Sequence, residues 1–145
     1  PESRGEVRIN SADPSQPPTI IPNYLSTEGD QKIAVESIKV ARKIAKASSL
    51  KKYILDEFVP GKSYTSDEQL LEAAKNNSQS IYHPVGTCKM GNDDSSVVDD
   101  QLKVHGISGL RVVDASIMPE LISGNTNAPT MMIAEKAADM ILGEK

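Results

Sequence analysis

The chain predicts an α+β architecture, and four features of its 145 residues carry that prediction. Residues 5–10 alternate, with Val7 and Ile9 on one side and Glu6, Arg8 and Asn10 on the other, the period of a half-buried strand. Residues 28–48 instead repeat Ile33, Ile38, Val40, Ala41, Ile44 and Ala45 at helical spacing among lysines and glutamates. Leu110 to Val113 form a short, apolar-rich run of the kind a sheet buries on both faces, and residues 128–142 again show a helical pattern.

Between these anchors the punctuation is clear. Residues 11–18 hold three prolines with Asp13 and two serines, a turn-rich connector, after which residues 19–24 are expected to be extended. Ser26 or Thr27 can cap the first long helix. A short helix is expected over 50–56, ended by Pro60-Gly61, and Ser66-Asp67-Glu68 opens another through about Ala74, which Asn76-Asn77-Ser78 terminates. Strands are expected over 97–104 and 110–113, joined by the turn His105-Gly106-Ile107-Ser108-Gly109. The last helix has Pro129 in its first turn, where a missing N–H is harmless, and Gly143 after its last apolar residue.

A chain of this length buries roughly 70% of the surface its unfolded form exposes, enough for a real core. Its 38% hydrophobic and 25% charged residues are those of an ordinary globular protein. The net charge of −4, from 16 basic and 20 acidic residues without a basic block, argues against a nucleic-acid partner. No apolar run approaches the ~20 residues of a membrane span, so no membrane anchor is expected. Cys88 has no second cysteine to pair with, and a cytoplasmic setting is the expectation. The start at Pro1, without methionine, reads as the interior of a longer polypeptide.

Chemistry is sought after residue 80, where charged runs give way to glycine and short motifs. In Tyr82-His83-Pro84-Val85-Gly86 an imidazole beside proline and glycine sits on constrained backbone, as suits a positioned base, although a lone histidine is commonly structural. Asp114 follows the apolar run, where α/β sheets place ligand contacts; a cap on the next turn is the alternative. Asn125 and Asn127 precede the last helix, whose amide end favours developing negative charge; either asparagine is also an ordinary cap. Metal ligation is not expected, because His83, His105 and Cys88 are the only imidazoles and thiol and lack zinc-site spacing. Nothing evident in the sequence activates Cys88 as a nucleophile.

Taken together, His83-Pro84-Val85-Gly86-Thr87-Cys88-Lys89-Met90-Gly91, then Val98-Asp99, then the segment from Gly109 through Asp114-Ala115-Ser116-Ile117-Met118-Pro119, then Gly124-Asn125-Thr126-Asn127-Ala128-Pro129-Thr130 resemble the C-terminal signature of glucose-methanol-choline oxidoreductases. Ser3-Arg4-Gly5, Ser11-Ala12-Asp13-Pro14 and Pro17-Pro18-Thr19-Ile20 resemble the start of that family's substrate-domain tail, and Asn-Thr-Asn-Ala-Pro-Thr looks most like its choline dehydrogenase branch.

The resemblance implies residues 1–80 as part of a substrate-binding domain and 81–145 as the catalytic-histidine segment with the C-terminal portion of an FAD domain. It implies oxidation of a primary alcohol by FAD, with His83 matching the base and Asn125 the partner that hydrogen-bonds the substrate oxygen. Asp114 and Ala115 match contacts to the FAD ribityl and phosphates, Thr126 and Asn127 match backbone contacts to the flavin ring, and Tyr82 matches a neighbour of the flavin. The family's Gly-x-Gly-x-x-Gly turn for the ADP half of FAD does not occur in these 145 residues. The implied partners are a small-molecule alcohol and the missing N-terminal FAD-binding segment. The isolated chain is expected to bind FAD poorly, to be inactive, and to self-associate through exposed apolar surface.

Overall fold

A computed structural model describes residues 1–143. Two compact units divide the chain, Pro1–Gln79 and Ser80–Lys145, with residues 144 and 145, the end of the expected FAD-domain segment, outside the described residues.

In the first unit, β1 (Glu6–Arg8) pairs antiparallel with β2 (Thr19–Ile21), Val7 opposite Ile20. The predicted half-burial is corrected here. Every residue of both strands is exposed, and Ile9, expected on the inner side, lies beyond β1 with 88% of its surface accessible. The alternation gave the right local conformation, but no described layer covers its apolar side.

Helix α1 (Glu28–Ala45) starts at Thr27, whose hydroxyl accepts from Asp30 N–H, which decides between the two candidate caps. Its acidic first turn and basic last turn complement the helix dipole. Asp30 accepts from the backbone N–H groups of Glu2 and Ser3 and from the Ser3 hydroxyl, tying the entry to β1 onto the head of α1. Helix α2 (Ser48–Lys51) is shorter than expected. Helix α3 (Asp67–Asn77) is fixed by a capping box, Ser66 Oγ accepting from Gln69 N–H while Gln69 Oε1 accepts from Ser66 N–H.

Helices α1 and α3 pack on each other, burying Val35, Leu70, Ala73 and Ala74. Removing Leu70 from water is worth about 1.5–3 kcal/mol. Arg42 braces the intervening loop, donating to both Glu57 carboxylate oxygens and to the carbonyls of Gly61 and Tyr64. The guanidinium holds the Glu57 carboxyl below its ordinary value.

The second unit has less regular secondary structure. The strands expected over 97–104 and 110–113 appear as isolated bridges, Met90 with Val98, Val98 with Val104 and Lys103 with Arg111. A turn interrupts the first, because Asp99 Oδ1 accepts from Gln101 and Lys103 N–H and Leu102 has φ +63°. The run at Leu110 is not buried on both faces either, Leu110 itself being exposed. After a 3₁₀ turn (Ala115–Ile117) comes helix α4 (Asn127–Gly143). Val98, Leu102, Ile117, Met118, Ile133 and Ala137 form the core that anchors α4. Helices with a small antiparallel sheet make the chain α+β, as expected. Among the described residues no helix is long and apolar enough to cross a membrane.

Candidate functional site

Proline at position 84 biases His83 toward extended backbone, and Gly86 then turns the chain with φ +90°. Beyond that turn, Cys88 N–H donates to Ser116 O and Met90 N–H to Ile117 O, so the histidine segment is stitched to the 3₁₀ turn. Tyr82, immediately before the histidine, has φ +61°, uncommon outside glycine, and is 85% exposed. Its N–H donates to Ser80 Oγ.

The head of α4 supplies the other half. Asn125 Nδ2 lies 2.9 Å from His83 Nε2, and Thr126 Oγ1 lies 2.7 Å from His83 Nδ1. One side chain from each of two consecutive residues therefore meets each imidazole nitrogen. His83 is half-buried, Asn125 exposed and Thr126 buried, so the Nε2 side is the one open to a ligand. An alcohol oxygen bridging His83 and Asn125 can donate its O–H to Nε2 and accept from Asn125 Nδ2, taking over the bond that joins them.

Neither asparagine occupies the cap position of α4. Thr126 does, its carbonyl accepting from Thr130 N–H and Thr130 Oγ1. Asn127 is the first helical residue and is exposed. Asp114 performs the capping alternative, Oδ1 accepting from the N–H and hydroxyl of Ser116, while Ala115 packs half-buried against the core. Sequence reasoning missed the Thr126 hydroxyl, having considered only its backbone. The available signal was its place beside Asn125 and one residue before a helix start, where threonine normally uses its side chain. Among the described residues, no group of three or more His, Cys, Asp or Glu side chains is placed to hold a metal.

A histidine flanked by an amide donor at the head of a core-anchored helix is an arrangement suited to proton removal from a hydroxyl. The family model described as GMC oxidoreductase matches residues 1–134, and the chain belongs to that family. It is 51% identical to the alcohol dehydrogenase [acceptor] of Pseudomonas putida over 142 residues, covering 98% of this chain and 26% of that protein. It is likewise 51% identical over 143 residues to an oxygen-dependent choline dehydrogenase of Escherichia coli, covering 99% of this chain and 26% of the relative. Its fold matches an FAD-dependent oxidoreductase from Chaetomium thermophilum with TM-score 0.93 at 32% identity, covering 99% of this chain and 25% of the other. The chain thus spans about a quarter of the length of these relatives.

Proposed function

We propose that this chain is the C-terminal part of a flavoprotein that oxidises a primary alcohol, choline among the candidates, with His83 as the base. The contact of Asn125 Nδ2 with His83 Nε2 carries this reading, because a separate binding module gives no reason for the two motifs to meet. Residues 1–80 then belong to the substrate-binding domain and 81–145 complete the FAD domain.

The residues present fit one part of FAD. The opening N–H groups of α4, at Asn127 and Ala128, precede the first intrahelical donors and lie next in sequence to Asn125 and Thr126, which suits the pyrimidine side of a ring that gains negative charge. Thr126 and Asn127 would meet the flavin ring through backbone, Asp114 and Ala115 the ribityl and phosphates, and Tyr82 would border the ring. The ADP half has no glycine-rich cradle in these 145 residues, so the isolated chain should bind FAD poorly and be inactive.

Bound FAD supplies the hydride acceptor, which no side chain can provide. His83 Nε2 takes the hydroxyl proton, and Asn125 Nδ2 steadies the oxygen as it gains charge. Loss of the O–H proton is what lets that oxygen become a carbonyl as the carbon-bound hydrogen leaves with its electron pair. A cytoplasmic setting belongs to the same reading, supported by the single unpaired cysteine, Cys88.

The test is the visible spectrum of the full-length protein before and after excess primary alcohols, choline included. Bound flavin that bleaches with an alcohol, and in His83→Ala bleaches roughly 10²- to 10⁴-fold more slowly, supports the reaction and the base together. A colourless full-length protein that takes up no FAD would replace this reading with a non-catalytic module.

A further inference from the structure

Thr126 sits where a helix-capping threonine turns its hydroxyl onto an N–H two or three residues ahead, but Pro129, three ahead, has none, leaving Ala128 as the one such donor. Here that hydroxyl meets His83 Nδ1 at 2.7 Å, inside a residue only 7% exposed. A hydroxyl can either accept from a protonated ring nitrogen or donate to a bare one. The other nitrogen resolves the choice. Asn125 Nδ2 can only donate, so His83 Nε2 must carry the lone pair, and the neutral ring's proton is left on Nδ1.

We propose that Thr126 is a positioning residue: its hydroxyl accepts from the Nδ1–H that donation by Asn125 leaves on the ring, and so holds the imidazole with its basic lone pair on Nε2 beside Asn125. The inference deepens the reading of His83 as the base and rests on it. Asn125 and Thr126 are consecutive, so the Asn125–Thr126 dipeptide addresses both ring nitrogens. Ile133 and Ala137 fix the helix behind them in the core. Rotation of the ring, or migration of its proton to Nε2, breaks at least one of the two bonds.

The full-length protein with ¹⁵N-labelled histidine tests this, His83 being assigned by the resonances lost in His83→Ala. Neutral wild-type His83 should show a protonated Nδ1 and a bare Nε2. In Thr126→Val the Nδ1–H loses its buried acceptor, so the Nδ1–H form should lose its dominance as the Asn125 amide turns its oxygen to accept from Nε2–H, and kcat should fall roughly 10- to 100-fold with KM little changed. Thr126→Ser should restore both. If the valine variant does not fold, Thr126→Ala replaces it, removing the hydroxyl without adding bulk. A hydroxyl-free variant that keeps Nδ1–H dominant, or a serine variant that fails to restore it, overturns the proposal. If His83→Ala bleaches the flavin as fast as wild type, the reading of the base fails, whereas a slowed His83→Ala beside an unchanged tautomer in Thr126→Val sinks this inference alone.

Discussion

Gly86 turns the chain beyond His83 at φ +90°, and a Cβ there would lie 3.4 Å from Met118 O. The space is tight but tolerable, so the backbone angle decides. Gly86→Ala should destabilise the protein by about 1–2 kcal/mol, the cost of a left-handed conformation in an L-residue. Gly124→Ala, where nothing lies within 4 Å and φ is not in that region, should change thermal stability little. Equal shifts in the two melting temperatures would show that the angle at Gly86 carries no strain. The motif around His83 was legible as constrained backbone from its proline and glycine. The 2.7 Å contact with Thr126 was not, because it joins residues 43 positions apart.

At the scale of elements, the head of α1 depends on one carboxylate. Hydrogen bonds from the Ser3 hydroxyl and from Glu2 and Ser3 N–H hold Asp30 far below the usual carboxylate range. Folded Asp30 therefore binds fewer protons than unfolded Asp30 as pH drops below the ordinary value. The stability it contributes is fully present above about pH 4–5 and is lost as pH falls through the folded value. Urea midpoints should show this acid limb in wild type and a shallower one in Asp30→Asn; coincident limbs would rule Asp30 out as its source. Helices were the most legible elements, since caps such as Ser66 with Gln69 and the α1 periodicity are local signals. Which face of α1 is covered was not. Val35 is buried while Ile33, Val40 and Ile44 remain exposed, because packing against α3, the main partner of α1, selects the covered face.

Across the molecule, apolar exposure is high for a chain with an ordinary composition. Leu55 is 98% and Phe58 95% exposed, and Ile81, Ile33 and Leu142 each keep more than half of their surface in water. Such surface favours association. The isolated chain should show scattering mass that grows with concentration, and Leu55→Ser with Phe58→Ser should reduce it. A strict monomer at high concentration in wild type would count against the prediction.

Periodicity and local caps by themselves determined the α+β class and the positions of the three longer helices, and the order of the motifs pointed to the family. These are properties of local spacing, set by backbone geometry and side-chain type along a few residues. Tertiary structure decided that Thr126 rather than an asparagine takes the cap position of α4, and that its hydroxyl, already denied one partner by Pro129, meets His83. It also decided that the expected strands after residue 96 break into bridges. Those outcomes depend on which distant groups compete for each donor and acceptor, and on which neighbours complete a ladder, information that no short window of sequence contains.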